Sequence, residues 1–255
     1  MLFYGAAAAC AIGVVMIAAL LFRKAERATD DDSPDGATGG HTGAMLSALF
    51  LLAFAMAVVV PWTTSDAARA NTYVESQAVA EAFWASTRLP APDAARIQAG
   101  LREYVDLVRG PEWRMMADGR LSPDGWRRLE ALRRQVAALP AADEEAKDDR
   151  DALADRLEEI AAARRQRAMD AKAAPPPGLL IATAGTGLAV LLFPFLAGAR
   201  PRGMTIVPLA LMAALLGFGV YLAFDIQHAF AGGLAVPPDA YTDLLPELDR
   251  IQGGG

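Results

Sequence analysis

The sequence offers few of the side chains that enzymes use for catalysis. Its only histidines are His41 and His228, and its only cysteine, Cys10, lies inside an apolar run. A glycine-rich phosphate loop, an HExxH metal motif and a GxSxG nucleophile turn are all missing. Catalysis and metal binding need several such groups to converge at one place. We therefore predict that the protein is not an enzyme and that it binds no metal or cofactor.

Glu75 and two pairs of residues are weak candidates for an ion or interaction site. Asp225 and His228 are three residues apart after an apolar segment, so on a helix they share one face and can hold a proton or a cation. The alternative is a solvated helix end.

Glu112 and Trp113 follow a Gly-Pro pair, which predicts a connecting turn. We expect Trp113 to pack on the Tyr104 face or the Trp126 helix, with Glu112 paired to an arginine or a helix-end amide; the alternative is a ligand or partner surface.

Two aromatic residues are candidates for lining a pore. Phe50 and Phe54 lie one helical turn apart in an apolar segment. Rings of such side chains from several subunits can form a hydrophobic gate, because a narrow apolar constriction expels water. Ordinary packing against neighbouring helices is the alternative.

The composition places these candidates on membrane helices. Hydrophobic residues make up 54% of the 255 residues and charged residues 21%, whereas soluble domains have about 45–50% and about 25%. A helix needs about 20 apolar residues to cross the hydrocarbon core. Four uncharged stretches predict transmembrane helices in residues 1–22, 44–65, 173–199 and 204–224. The net charge of −6 argues against a nucleic-acid partner.

The remaining segments are two short loops, a large insert and a tail. The loops are residues 23–43 and 200–203, the insert is residues 66–172, and the tail is residues 225–255. The sequence therefore predicts an all-α integral membrane protein with four transmembrane helices and an all-helical soluble insert between spans 2 and 3. The tail carries a short amphipathic helix, whose apolar stripe docks on the insert or lies on the lipid surface.

Local signals predict the helix ends within the insert. One helix continues out of span 2, and a second begins with Asp93 as its N-cap and ends before Gly110. A third begins with Ser122 as N-cap and Pro123 at its first position. An acidic loop over residues 143–149 precedes the fourth helix.

Basic residues in the short loops predict the orientation in the membrane. Cytoplasmic loops are enriched in Lys and Arg. The two short loops hold Arg23, Lys24, Arg27, Arg200 and Arg202. This places the short loops in the cytoplasm and the insert and C-terminal tail outside the cell membrane. Four basic residues near the end of the insert favour the opposite orientation, with the insert in the cytoplasm: Arg164, Arg165, Arg167 and Lys172. Basic residues in long domains have little influence on orientation.

Small residues recur every four positions in three spans. They are Gly5, Ala9 and Gly13 in span 1, Gly185 and Ala189 in span 3, and Ala213 and Gly217 in span 4. Such stripes let helix backbones approach closely in lipid. They predict close packing either within one chain or between subunits.

An ordered series of short motifs extends from span 2 to the tail. The series comprises Leu51–Leu52–Ala53–Phe54, Trp62, Ala68–Arg69, Glu75, Leu89–Pro90, Tyr104–Val105, Glu112–Trp113, Ala163–Arg164–Arg165, Gly232–Gly233–Leu234, Val236, Pro238 and Ala240. In this order and spacing the sequence resembles a bacterial four-span membrane family of unknown function that is classed by some as bestrophin-like. The order of spans and insert also resembles bestrophin anion channels. That resemblance implies a pentameric pore lined by span 2, with the insert in the cytoplasm.

Two functions remain open from the sequence. The first is an oligomeric ion channel, with anions as the permeant class and span 2 lining the pore. The second is a non-catalytic membrane-anchored sensor or scaffold, whose helical insert binds an envelope protein partner.

Overall fold

Helices are the only regular secondary structure wherever the structure of the chain is described. The computed structural model describes residues 2–25, 36–140, 142–197, 204 and 206–253, and no strand occurs among them. The helices are α1 (Leu2–Ala25), α2 (Gly36–Ser86), α3 (Ala91–Leu107), α4 (Trp113–Met116), α5 (Pro123–Ala137), α6 (Glu144–Lys172), α7 (Pro177–Leu196), α8 (Ile206–Asp225) and α9 (Asp239–Gly253). The predicted all-α class is confirmed.

Several of these helices are apolar enough to cross a membrane. Three helical stretches meet the requirement of length and composition, within His41–Ser86, Glu144–Leu196 and Ile206–Asp225. Helix α1 adds a shorter apolar segment, Gly5–Leu21. The loop at residues 200–203 and residues 26–35 of the first loop lie outside the described residues, and so do Arg27, Arg200 and Arg202.

The chain divides into two compact units. Unit 1 comprises Met1–Trp62 and Pro175–Gln227, and unit 2 comprises Thr63–Ala174 and His228–Gly255. In unit 1, α1 packs against α8 and α7 around a core that includes Val15, Leu191 and Phe195.

Glycines in unit 1 differ in whether another helix covers them. A Cβ on Gly217 of α8 would come within 2.8 Å of the Ala7 carbonyl oxygen on α1, so this close approach requires glycine. The stripe on α8 is therefore used within the chain. By contrast, a Cβ on Gly5, Gly13 or Gly185 would meet nothing within 4 Å in the described part of the chain.

Unit 2 is a helical bundle with one large core. The core combines side chains from α2, α3, α5 and α6. Helix α9 completes it with an apolar stripe consisting of Ala240, Tyr241, Leu244, Leu248 and Ile251. The stripe packs against the insert, as the first of the two sequence alternatives predicts. Burial of this stripe explains why an otherwise polar tail forms a stable helix.

Some predicted helix ends are right and others are wrong. Ser122 caps α5, because its Oγ accepts a hydrogen bond from the Asp124 N–H at 3.2 Å. Asp93 is not an N-cap: α3 begins at Ala91 after Pro90, and Asp93 lies in its first turn. The acidic residues after Asp143 form no loop. Asp143 caps α6 by accepting a hydrogen bond from the Ala146 N–H at 2.8 Å, and the acidic side chains that follow favour the positive end of the helix dipole.

Candidate functional site

Four charged side chains are fully buried inside unit 2. They are Glu75 on α2, Glu112 between α3 and α4, and Arg164 and Arg167 on α6, each with 0% of its surface exposed. A buried charge is costly unless an opposite charge and hydrogen bonds compensate it. We call these four residues, together with Tyr104 and Tyr241, the buried charge network.

A π-helical turn positions Glu112. The turn spans Val108–Glu112 and joins α3 directly to α4. Pro111 has no N–H to donate to the regular helical ladder, and a π turn accommodates this by widening the helix by one residue. Both Val108 and Glu112 consequently face the interior. The prediction that the second helix ends before Gly110 is therefore wrong, and Glu112 and Trp113 do not lie on a connecting turn.

Glu112 and Arg164 form a two-pronged ion pair. Arg164 Nη1 donates to Glu112 Oε1 at 2.7 Å, and Arg164 Nη2 donates to Glu112 Oε2 at 2.6 Å. Both partners also bond to Ser122: its N–H donates to Glu112 Oε2 at 2.9 Å, and its carbonyl oxygen accepts from Arg164 Nη2 at 2.8 Å. The pair therefore connects α6 to the first residues of α5. Such parallel bonds are the strongest arrangement for arginine and a carboxylate.

Arg167 joins the two carboxylates. Its Nε donates to Glu75 Oε2 at 2.7 Å, and its Nη2 donates both to Glu75 Oε1 at 3.0 Å and to Glu112 Oε1 at 2.9 Å. The Tyr104 hydroxyl donates to Glu75 Oε1 at 2.5 Å. Two negative and two positive groups thus share one hydrogen-bonded assembly, which links α2, α3, the π turn and α6.

The surroundings of the arginines leave little free space. The Arg164 guanidinium lies over the rings of Tyr104 and Trp126, and Arg167 lies over the ring of Tyr241. A Cβ on Gly125 would collide with the Arg164 guanidinium, so α5 approaches α6 only because this residue is glycine. Within the described chain, Arg164 Nε and the Tyr241 hydroxyl have no hydrogen-bond partner.

The electrostatics hold Glu112, Arg167 and Tyr104 in their ordinary charge states. Burial opposes ionisation of Glu112, but the hydrogen bond from Arg164 and the charge of Arg167 outweigh it and lower the pKa of this carboxyl. Burial also opposes the charge of Arg167, yet the Glu75 carboxylate raises the Arg167 pKa well above its usual value. Burial, reinforced by the charge of Glu75, raises the Tyr104 pKa. This pattern is typical of a structural network, since an acid–base catalyst needs a pKa near the working pH.

Trp113 lies beside this network and contacts the C-terminal segment. Its Nε1 donates to the Val236 carbonyl oxygen at 3.2 Å. Its ring meets the rings of Phe230 and Tyr241 edge-on, with centroids 5.5 and 5.8 Å apart. Trp113 is half-buried and packs against the core that includes Tyr104 and Val108, as expected from the sequence, whereas its ring contacts with Phe230 and Tyr241 were not expected. Glu112 does meet an arginine, as expected.

Asp225 and His228 do not share a helix face. Helix α8 ends at Asp225, and His228 lies in the following turn. The expectation is wrong because the helix stops where the apolar run stops. His228 is exposed and Asp225 is half-buried. Among the described residues, no group of three or more His, Cys, Asp or Glu is placed to hold a metal ion.

Phe50 and Phe54 pack within unit 1. Their rings stack with centroids 5.7 Å apart. A Cβ on Gly187 of α7 would lie 3.1 Å from the Phe50 ring, and a Cβ on Gly219 of α8 would lie 2.9 Å from the Phe54 ring. The absence of a side chain at the two glycines therefore lets the rings pack directly against α7 and α8. In the single chain these side chains connect α2 to α7 and α8.

Comparison with known proteins identifies the family. A family model for the bestrophin-like domain matches residues 9–241. The chain belongs to the bestrophin-like family. The resemblance inferred from the sequence motifs is thereby confirmed, and the protein is a bestrophin-like membrane protein. No curated protein matches the chain.

Solved structures show the same fold at low sequence identity. The chain is similar to a bacterial bestrophin homologue from Klebsiella pneumoniae, with a TM-score of 0.69 and 13% identity over 97% of this chain and 98% of that one. Another crystal structure of that homologue gives a TM-score of 0.68 and 12% identity over 97% of both chains. A crystal structure described as a membrane protein gives a TM-score of 0.69 and 12% identity over 99% of this chain and 100% of that one. At such identity the likeness concerns the fold.

Removing the negative charge of Glu112 should destabilise the protein strongly. The substitution Glu112→Gln keeps the shape but leaves Arg164 buried without its carboxylate, which costs about 3–5 kcal/mol. The measurement is thermal unfolding of the full chain in detergent. The control is Glu247→Gln on α9. Glu247 is partly exposed and forms an ion pair of 3.8 Å with the exposed Arg250, so the pair contributes at most about 1 kcal/mol. Equal effects of the two substitutions would contradict a structural role for the network.

The advantage of the native protein over Glu112→Gln should disappear in acid. Because the folded pKa of Glu112 is lowered, its stabilisation is complete above the unfolded pKa of about 4.3 and is lost as the pH falls through the folded pKa. We expect the difference in melting temperature to be constant above about pH 5 and to shrink below the unfolded pKa. A difference that already shrinks near neutral pH would mean that the folded pKa is raised instead.

Proposed function

We propose that the protein is a homo-oligomeric ion channel of the cell membrane, with anions as the permeant class and α2 lining the pore. The observation that carries the proposal is membership of the bestrophin-like family over residues 9–241, together with the same fold as a bestrophin homologue over 97% of the chain. The proposed arrangement has four spans, formed by α1, the apolar part of α2, α7 and α8. The helical insert lies between the second and third.

Features of unit 1 support assembly from several copies. Gly5 and Gly13 on α1 and Gly185 on α7 are uncovered in the single chain, and open small-residue stripes are typical surfaces for helix association in lipid. The proposed pore lies between neighbouring copies.

The exposed face of α2 is the better candidate for the pore wall. Phe50 and Phe54 are directed at α7 and α8, so they would support the wall from behind. Leu49, Leu52, Met56 and Val59 are all exposed and recur every three or four residues, which places them on one helix face. This face has no charge, so in a ring of copies it would form an apolar constriction that closes by excluding water.

Ion flux through reconstituted protein tests the channel. We expect chloride flux above that of empty liposomes, and we expect Leu52→Ser to raise this flux about tenfold. One buried leucine is worth about 1.5–3 kcal/mol of apolar surface, and a barrier lowered by about 1.4 kcal/mol is crossed ten times faster. The control is Ile181→Ser on α7, because Ile181 has a side chain of the same size as Leu52 and is also exposed. Absence of flux from folded protein would exclude the channel. An equal rise with Ile181→Ser would exclude α2 as the pore wall.

We also propose that the insert and the C-terminal tail lie outside the cell. The short loops carry the Lys and Arg residues that favour the cytoplasm, although the likeness to bestrophins implies the opposite orientation. Single cysteines at Ala142, which is exposed, and at Gly36 are compared in a Cys10→Ser background. An impermeant maleimide on intact cells should label position 142 and not position 36. The reverse pattern would place the insert in the cytoplasm.

A membrane-anchored sensor or scaffold is the second candidate function. It is favoured by Tyr73 and Trp84, which are large aromatic side chains exposed on unit 2 and are suited to an envelope protein partner. The oligomeric state separates the two functions. A monomer in detergent, measured by mass photometry, would remove the pore and favour the sensor.

A further inference from the structure

Unit 2 exposes apolar side chains next to an open groove. Tyr73, Val74 and Trp84 on α2 have 40%, 57% and 51% of their surfaces exposed. Val74 lines a groove of about 610 Å³ between α2 and α6. Small side chains on both helices, Ala78 and Ala163 among them, leave the space open. We call this depression the α2–α6 groove.

The α2–α6 groove carries an excess of negative charge. Glu81 and Glu159 line it and are exposed. Arg156, its one lining cation, is already bonded to Glu159 at 3.0 and 2.9 Å. Asp155 and Glu158 are exposed on the same helix beside it. A partner for this groove should therefore present positive charge.

Helix α5 presents the opposite charge. It holds four arginines against one aspartate and one glutamate. Its apolar side, with Leu129, Leu132 and Val136, is buried in the core, so the arginines face outward. Arg127 and Arg128 pair with Asp124 and Glu103. Arg133 and Arg134 have no ion-pair partner within the described chain.

We propose that the arginine face of α5 in one copy docks into the α2–α6 groove of the next copy. This inference rests on the proposed oligomeric channel. Different residues form the two surfaces, so each copy can offer one surface to each neighbour, and such head-to-tail contacts form a ring when the rotation between copies closes. Complementary charge fixes the register of the contact. The same helix exposes Tyr73, next to the lining residue Val74, and Trp84, three residues after the lining residue Glu81, and both are of the types that dominate binding energies.

Paired charge reversals test the contact. Arg133→Glu with Arg134→Glu, or Glu81→Arg with Glu159→Arg, places like charges against each other. Each double variant should raise the dissociation constant between copies by about tenfold or more, with a smaller effect at high salt. All four changes together should restore the native value. Mass photometry of the full chain in detergent measures assembly, and thermal unfolding verifies that each variant is folded.

The control is Glu247→Arg with Arg250→Glu on α9, which reverses a pair outside both surfaces and should leave assembly unchanged. If the native protein assembles and neither reversal weakens it, the docking is wrong and the proposed channel stands. Failure of the fourfold variant to recover would also overturn the docking. A native protein that is monomeric at every concentration would overturn both proposals.

Discussion

Arg167 bonds simultaneously to Glu75 and Glu112, and the arrangement of unit 2 depends on this shared cation. One carboxylate comes from α2 and the other from the π turn, so neither can move without leaving a charge unpaired in the interior. Arg164 extends the constraint to α5 through Ser122. The Tyr241 ring under Arg167 brings in α9. Four separate segments of the chain are therefore tied to α6 by two guanidinium groups.

Such a network contributes more to the choice of structure than to its stability. Desolvation of buried ions consumes much of the energy gained by pairing them, whereas breaking a formed pair costs several kcal/mol. We infer that the network selects the helix register. A displacement of α6 by one turn would remove Arg164 and Arg167 from their carboxylates, while the apolar side chains of the core would still find apolar neighbours. The π turn serves the same purpose, because it directs Glu112 inward at the one position where both arginines reach it.

The sequence predicts the helices better than it predicts the contacts between them. The uncharged stretches form helices, and the Ser122 cap and the stripe on α9 are found as expected, because these features depend on neighbouring residues in the chain. The π turn was missed because a Gly-Pro pair ordinarily ends a helix. The packing of Phe50 and Phe54 against Gly187 and Gly219 could not be predicted, since it depends on which helices are neighbours. A usable signal did exist for the network: Arg164 and Arg167 continue the apolar stripe of Leu153, Leu157 and Ile160, and charged residues on a buried stripe require buried partners.

Helix α2 connects the network to the proposed channel, because it is one helix of 51 residues that contributes to both units. Its apolar part carries the exposed face proposed to line the pore, and Glu75, further along the same helix, is held by Arg167 and Tyr104. Pro61 lies between these two parts and removes one hydrogen bond from the helical ladder. Bending of α2 is therefore easiest at Pro61, close to the boundary of the two units. The hydrogen bonds to Glu75 hold the part of α2 that belongs to unit 2.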